Sequence, residues 1–258
     1  MKIIVCLKQV PDTETKIKLL PDNTNIDTTG VKWVVNPYDE YAIEEAIKLQ
    51  AANPGSQTLA ITLGPKQRAQ EALRTALAMG IDEAALIHSD FALDSFATAK
   101  ALSGLIQQEG GADLILTGKL AIDDNASSVP QMIASFLNIQ HCTVVSKLTL
   151  SGTNFVAERD IEGGSKEIVE IPTPCLIAAN KGLNTPRYAS LPGIMKAKKK
   201  VIKEVDIATL SVGPADSKTK MVKVTLPAEK PPVKMIAGEV QAQVTQLVQL
   251  LRDEAKAL

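Results

Sequence analysis

Two hydrophobic periods alternate along the chain. KIIVCLK near the start is a short, almost unbroken apolar run, as in a parallel strand covered on both faces. DEYAIEEAIKLQ follows, with Ala42, Ile43, Ala46 and Ile47 at helical spacing. QTLAITLG predicts the next strand. QRAQEALRTALAMG predicts the next helix, with Ala69, Ala72, Leu73 and Ala76 on one face and Gly80 as its stop. The alternation continues through strand AALIHS, helix DSFATAKALSGLIQQEGG, strand ADLILTG and helix SSVPQMIASFL. In that last helix Val129, Met132, Ile133, Phe136 and Leu137 follow i, i+3, i+4, i+7, i+8. Strands alternating with helices predict an α/β fold, a mostly parallel, Rossmann-like sheet with helices on both faces.

After Leu137 the pattern changes. HCTVVSKLTLSGTNFVAERDIEGGSKEIVEIPTPCLIAAN is β-rich with glycine turns, and predicts antiparallel strands extending the same sheet. From Lys203 to Pro232 the chain is polar and proline-bearing, and PAEKPP reads as an extended linker. Val240, Val244, Leu247, Val248 and Leu251 then restore a helical stripe. The predicted organisation is an α/β domain over 1–232 and a C-terminal arm over 233–258, which packs either on its own domain or on another chain.

Composition narrows the function. The chain has 258 residues, 45% hydrophobic and 22% charged, with a formal net charge of −1. No global field recruits nucleic acid or an anionic membrane, so any basic site is local. Aromatics at 3% argue against a stacking platform for single strands. Cys6, Cys142 and Cys175 lie far apart in apolar runs without a C-x-x-C, which predicts buried thiols in a reducing compartment. No apolar stretch reaches the ~18 residues of a membrane span, and the first run is too short for a secretory leader.

In a doubly wound sheet, ligands bind beyond the carboxyl ends of the strands. KQVPDT, LGPKQ and TGKLAIDDNASS fall there. The third carries Gly118, two acids, an Asn and two serines just before a helix, a natural cradle for phosphate. The competing reading makes Ser127 or Ser128 a plain N-cap. Asp123 and Asp124 have no third ligand nearby for a metal. Neither a P-loop nor G-x-G-x-x-G is present. VNPYDEYAIEEA places Asn36 before Pro37, a turn with Asp39 capping the helix that leaves Asn36 and Tyr38 for the same crevice. His88 and His141 have no recognisable catalytic partner. In ERDIEGG the glycines read as a hairpin turn and the charges as a solvated strand edge. RYASLPGIMKAKKK is unusual: Leu191, Ile194 and Met195 stand among cations, an apolar tip on a basic stalk.

These stretches carry a resemblance. KQVPDT, GVKWVVNPYDEYAIEEA, LRTALAMGID, GKLAIDD, ERDIEGG and NTPRYASLPGIMKAKKK, in this order, resemble the β-subunit of electron transfer flavoprotein over almost the whole chain. The resemblance implies a heterodimer with an α-subunit that holds most of one FAD, and, in the non-bifurcating members, an AMP in the β-subunit. It implies electron carriage from acyl-CoA and related dehydrogenases to a membrane quinone oxidoreductase, not catalysis. The adenine-nucleotide contacts it implies are Cys6, mainly through backbone, then Asn36, Pro37, Tyr38, Asp39 and Leu63. The cradle adds Gly118, Lys119, Leu120, Ala121, Ile122, Asp123, Asp124, Asn125, Ala126, Ser127, Ser128 and Val129. Asn125, Ser127 and Ser128 would be phosphate partners, and Tyr38 would stand close to the flavin. The segment at about 184–200 would be the loop that docks dehydrogenases. Leu191 would be its anchor, Pro192 and Gly193 the turn behind, Ile194 and Met195 the apolar patch, and Arg187 a brace from within. Lys196, Lys198, Lys199 and Lys200 would surround the patch. The C-terminal segment would pack on the α-subunit.

The chain departs from relatives at Leu120, where many have Gln, and at Thr13, where some have Tyr. The first departure predicts one polar contact fewer, the second a more open flavin edge. Bifurcating relatives carry a second FAD in place of AMP and tend to read GRQAIDGDTAQVGP, against Lys119, Asp124 and NASSVPQ here. KQVPDT occurs in that branch too, but the simple carrier is the favoured reading. A stand-alone adenine-nucleotide-binding protein on a similar fold is the rival of another class. The expected setting is cytoplasmic, with the mitochondrial matrix as the alternative.

Overall fold

The structure, a computed structural model, describes residues 1–230 and 232–258. Pro231, part of the PAEKPP stretch, lies outside the described residues. The expected alternation is present: β1 (Lys2–Cys6), β2 (Gln9–Pro11), β3 (Trp33–Val35), α1 (Pro37–Ala52), β4 (Gln57–Gly64), α2 (Lys66–Met79), β5 (Glu83–His88), α3 (Ser95–Gln108), β6 (Leu114–Gly118) and α4 (Val129–Leu137). Then come β7 (Gln140–Ser151), β8 (Asn154–Asp160), β9 (Lys166–Pro172), β10 (Cys175–Ala179), α5 (Leu191–Lys199), β11 (Lys203–Asp206) and α6 (Val240–Asp253).

Among the described residues, nine strands form one sheet in the order β11-β5-β4-β1-β6-β10-β7-β8-β9, and β2 and β3 pair separately. Every pairing from β11 to β7 is parallel, and only β7-β8 and β8-β9 are antiparallel. The β-rich stretch is therefore antiparallel only in part. Its last strand, β10, runs back between β6 and β7, where both neighbours accept it in parallel register. The polar stretch after Lys203 also differs from expectation, because Lys203–Asp206 closes the far edge beside β5. KEVD has one buried side chain, Val205, which is all an edge strand needs and too little to register as a pattern.

Alternating residues of the central strands feed two cores. Ile3, Val5, Leu114 and Leu116 join α1 and α2, while Ile4, Cys6 and Ile115 join α3 and α4. Burial at ~25 cal/mol per Å² of apolar area makes this two-faced cover the main stabilising term. The three cysteines are free and buried in these cores. The chain proceeds from β1 to β4 and β5 on one side, then returns to β6 on the other. The strand order thus reverses between β1 and β6, the place where open α/β sheets part to form a crevice.

Two compact units are present. Met1–Lys18 with Asp27–Val222 forms one, and Leu19–Ile26 with Lys223–Leu258 forms the other. In the second, Leu19 bridges Ile26 and the Val224 N–H donates to the Asn23 carbonyl at 2.9 Å. Its helix α6 buries none of its residues, and Val244, Leu247 and Val248 are exposed. Among the described residues no helix is long and apolar enough to cross a membrane.

Candidate functional site

Pro37, whose ring pre-sets a helical φ, opens α1 with Asn36 at the N-cap position. Capping does not occupy the side chains here. Asn36 Nδ2 donates to the Leu120 carbonyl at 2.8 Å and to Asp39 Oδ1 at 2.9 Å, while its Oδ1 accepts from the Ile122 N–H at 3.2 Å. Asp39, expected to cap the helix, instead accepts the N–H groups of Lys8 at 2.7 Å and Gly118 at 2.9 Å. One buried carboxylate thus ties the carboxyl ends of β1 and β6 together at the switch point. Burial pushes the Asp39 carboxyl up to about 7, against the pull of Asn36, the two backbone donors and the Lys8 charge. The same burial, with Asp39 beside it, raises the Cys6 thiol far above its ordinary value.

Gly118 allows this approach. A Cβ there would overlap Asp39 Oδ1 and stand 2.7 Å from Tyr38 Cβ. The contact Asn36 makes to residue 120 is through the backbone, so it does not depend on Leu120 replacing Gln. Beyond Gly118 the loop turns sharply. Asn125 and Ser127 adopt left-handed φ values of 51° and 49°, and the Asn125 N–H bonds the Ala121 carbonyl at 2.9 Å. Ser127 Oγ donates to the Lys119 carbonyl at 3.3 Å, so it braces the loop and does not cap the helix. Ser128 holds the N-cap position of α4 with no side-chain cap bond, leaving the helix end free to meet an anion. The Lys119 ammonium lies 5.0 Å from the centre of the half-buried Tyr38 ring.

Asp123 and Asp124 bind Lys8, whose Nζ lies 2.8 Å and 3.1 Å from them. Burial lowers the Lys8 pKa, but the two carboxylates more than offset it and hold the ammonium above its ordinary value. Lys8 was not among the residues expected at the site, although KQVPDT contains it. Thr117 and Gln131 were missed as well. Strand alternation sets Thr117 on the face of Ile115, opposite to the one where Gly118 backs onto Tyr38 and Asp39. Thr117 Oγ1 and Gln131 Oε1 are buried atoms with no hydrogen-bond partner among the described residues. Polar residues in an apolar strand and a helix N-terminus were the available signals. Leu63 and Val129 pack at the margin of the core that contains Cys6.

The second candidate region sits elsewhere on the same unit. Arg187 makes a two-pronged pair with Glu44 of α1, Nε to Oε2 at 2.7 Å and an Nη to Oε1 at 2.8 Å. Burial raises the Glu44 carboxyl, but Arg187 outweighs this and holds it below its ordinary value. Beyond this brace Tyr188 is 99% exposed and Leu191 74%, so Leu191 does not cap the protein's own core. Ile194 and Met195 are exposed beside it. Pro192 and Gly193, expected to form a turn, are the first turn of α5, with Ser190 Oγ accepting the Gly193 N–H at 3.1 Å. Lys196, Lys198 and Lys199 are exposed cations on its last turn. Lys200 is not one of them, because its Nζ donates to the carbonyls of Ile81 at 2.8 Å and Asp82 at 2.7 Å. ERDIEGG likewise does more than face solvent: Asp160 accepts from Ser146 Oγ at 2.9 Å and Asn180 Nδ2 at 2.7 Å, linking the end of β8 to the middle of β7 and to the residue after β10.

The family model described as "Electron transfer flavoprotein domain" matches residues 23–210. The chain belongs to the electron transfer flavoprotein β-subunit family. It is 41% identical over 263 residues to "Electron transfer flavoprotein subunit beta" of Bacillus subtilis (strain 168), covering 100% of both chains. It is 40% identical over 262 residues to "Electron transfer flavoprotein subunit beta, mitochondrial" of Oryza sativa subsp. indica, again covering 100% of both. The human subunit beta is 38% identical over 234 residues, covering 89% of this chain and 90% of the relative. Members of this family are electron carriers and not enzymes, and a β-subunit implies an α-subunit as partner.

Proposed function

We propose that this chain is the nucleotide-holding and docking half of a simple, non-bifurcating carrier. It receives electrons from acyl-CoA and related dehydrogenases and delivers them to a membrane quinone oxidoreductase, in a reducing compartment, either cytoplasm or mitochondrial matrix. The observation that carries the reading is Leu191. A leucine 74% exposed at the start of a cationic helix is an anchor for an apolar pocket in an acidic surface. Met195 beside it can adapt to several partners.

The flavin, held mainly by the α-subunit, supplies the electron-carrying chemistry when bound. The residues of this chain bind and position. AMP fits the cradle because the N-terminus of α4 carries free N–H groups for a phosphate, and because Thr117 Oγ1 is a buried hydroxyl awaiting a partner. Leaving such a group unpaired costs ~1–3 kcal/mol, which a bound nucleotide or water offsets. Asn125 and Ser128 would meet the phosphate. Ser127, Lys119 and Asn36 hold the loop that presents it, and Tyr38 stands at the flavin side. Met1–Lys18 with Asp27–Val222 acts as the α/β domain. The unit of Leu19–Ile26 with Lys223–Leu258, which begins earlier than the expected boundary at 232/233, acts as the arm, whose exposed Val244, Leu247 and Val248 bury against the α-subunit.

Two measurements test this. Denaturing the purified heterodimer should release one AMP with one FAD, whereas two FAD and no AMP would make it a bifurcating type. Leu191→Ala should abolish rapid electron transfer from an acyl-CoA dehydrogenase while the flavin spectrum stays unchanged. Transfer at the wild-type rate would remove the docking assignment.

A further inference from the structure

Helix α5 holds a docking surface with very little core beneath it. It has nine residues, and among them Ala197 alone is buried. Isolated helices shorter than ~12 residues are marginal in water, so its order must come from elsewhere. Its contacts with α2 provide that. Arg74, on α2, directs Nη1 to the carbonyls of both Ala197, which also accepts the Lys200 N–H at 3.2 Å, and Lys200, whose carbonyl lies past the last turn of α5. Lys200 reciprocates, bonding the Ile81 and Asp82 carbonyls just past the end of α2. Between these bonds the two backbones touch: a Cβ on Gly193 would overlap the Ala78 carbonyl oxygen.

From this geometry we infer that Arg74 is a positioning residue for dehydrogenase docking, acting with Lys200 and Gly193 to hold α5, and hence Leu191, in its docking pose before any partner arrives. The inference rests on the docking reading above and extends it to residues that touch no partner. Charge alone does not explain Arg74, because Lys196, Lys198 and Lys199 already place cations at the same helix end. What Arg74 adds is a single guanidinium gripping two carbonyls. An anchor fixed in advance avoids an ordering cost on association, so its loss falls on affinity and not on the electron-transfer step.

The test uses the flavin-loaded heterodimer as electron acceptor for an acyl-CoA dehydrogenase supplied with its acyl-CoA. Arg74→Met should raise the KM for the heterodimer about tenfold, the equivalent of ~1.4 kcal/mol, with kcat near wild type. Arg74→Lys should recover only part of this, since the Lys ammonium stops one bond short of the place Nη1 occupies between the two carbonyls. Hydrogen exchange should quicken over residues 187–199 and stay unchanged over 118–122. Gly193→Ala and Lys200→Met should raise KM in the same direction, and they decide the matter if Arg74→Met does not fold. The inference is overturned if these variants keep the wild-type KM while Leu191→Ala loses docking, or if Arg74→Lys restores KM fully, which would make the effect one of charge. If Leu191→Ala also keeps normal transfer, the docking reading itself has failed.

Discussion

The cradle at 118–129 and the docking segment at 187–200 are both connections leaving the carboxyl ends of parallel strands, and helix α1 serves both. Its first turn gives Asp39 to the cradle, and its next turn gives Glu44 to Arg187. The two carboxylates are buried, but in opposite circumstances. Asp39 receives neutral donors and remains raised, while Glu44 meets a guanidinium and is lowered. The cradle is a loop pulled inward over its first part, 118–122, by Asn36 and Asp39. The docking segment is tied at its two ends by Arg187 and Lys200 and rests on α2 through Gly193 and Ala197, with Leu191, Ile194 and Met195 facing outward. Inward ties suit a site that encloses a ligand, and end ties suit a surface that meets a protein.

If that contrast is right, Asp39→Ala should have the largest effect. It strips partners from the Lys8 and Gly118 N–H groups and from Asn36, at about 2–5 kcal/mol of stability by the cost of unsatisfied buried donors. Denaturant unfolding measures it, and a loss below 1 kcal/mol would show that the carboxylate does not hold the switch point. Gly118→Ala comes next, at about 1–3 kcal/mol, because its Cβ meets Asp39 and Tyr38 and the strand end must shift.

Acid and base should then separate the two regions. Asp39, raised in the folded state, contributes stability fully present below pH ~4 and lost as pH rises through about 7. Glu44, lowered, contributes stability present above its ordinary value near 4.5 and lost as pH falls through the lowered one. Thermal unfolding of Arg187→Met against wild type should remove the acid-side loss and leave the decline toward pH 7 in place. Identical profiles would show that the pair carries no linkage. The smallest effect belongs to Leu191→Ala, whose stability should stay within ~0.5 kcal/mol of wild type because the side chain is exposed. A larger drop would place Leu191 in the core and erase the contrast.

Much of this was legible in order and period. The four strand–helix repeats, the crevice loops and the exposed tip at Leu191 follow from apolar spacing and from a leucine set among lysines, which local chemistry alone makes readable. The family was legible in motifs such as NTPRYASLPGIMKAKKK. What the sequence left open depends on partners far apart in the chain. Nothing near Asp39 says that it leaves its own helix end to bond Lys8 and Gly118, 31 and 79 residues away. Lys200 looked like one more surface cation, and only the packing of α5 on α2 turned it toward two carbonyls. KEVD and the place of Cys175–Ala179 between two parallel neighbours were settled the same way, by sheet edges that exist only once the fold does. Periodicity is a property of neighbours along the chain, so the sequence determined the elements. Buried polar groups must find partners wherever the fold brings them, so the tertiary structure decided which charges hold the site and which remain free to meet another protein.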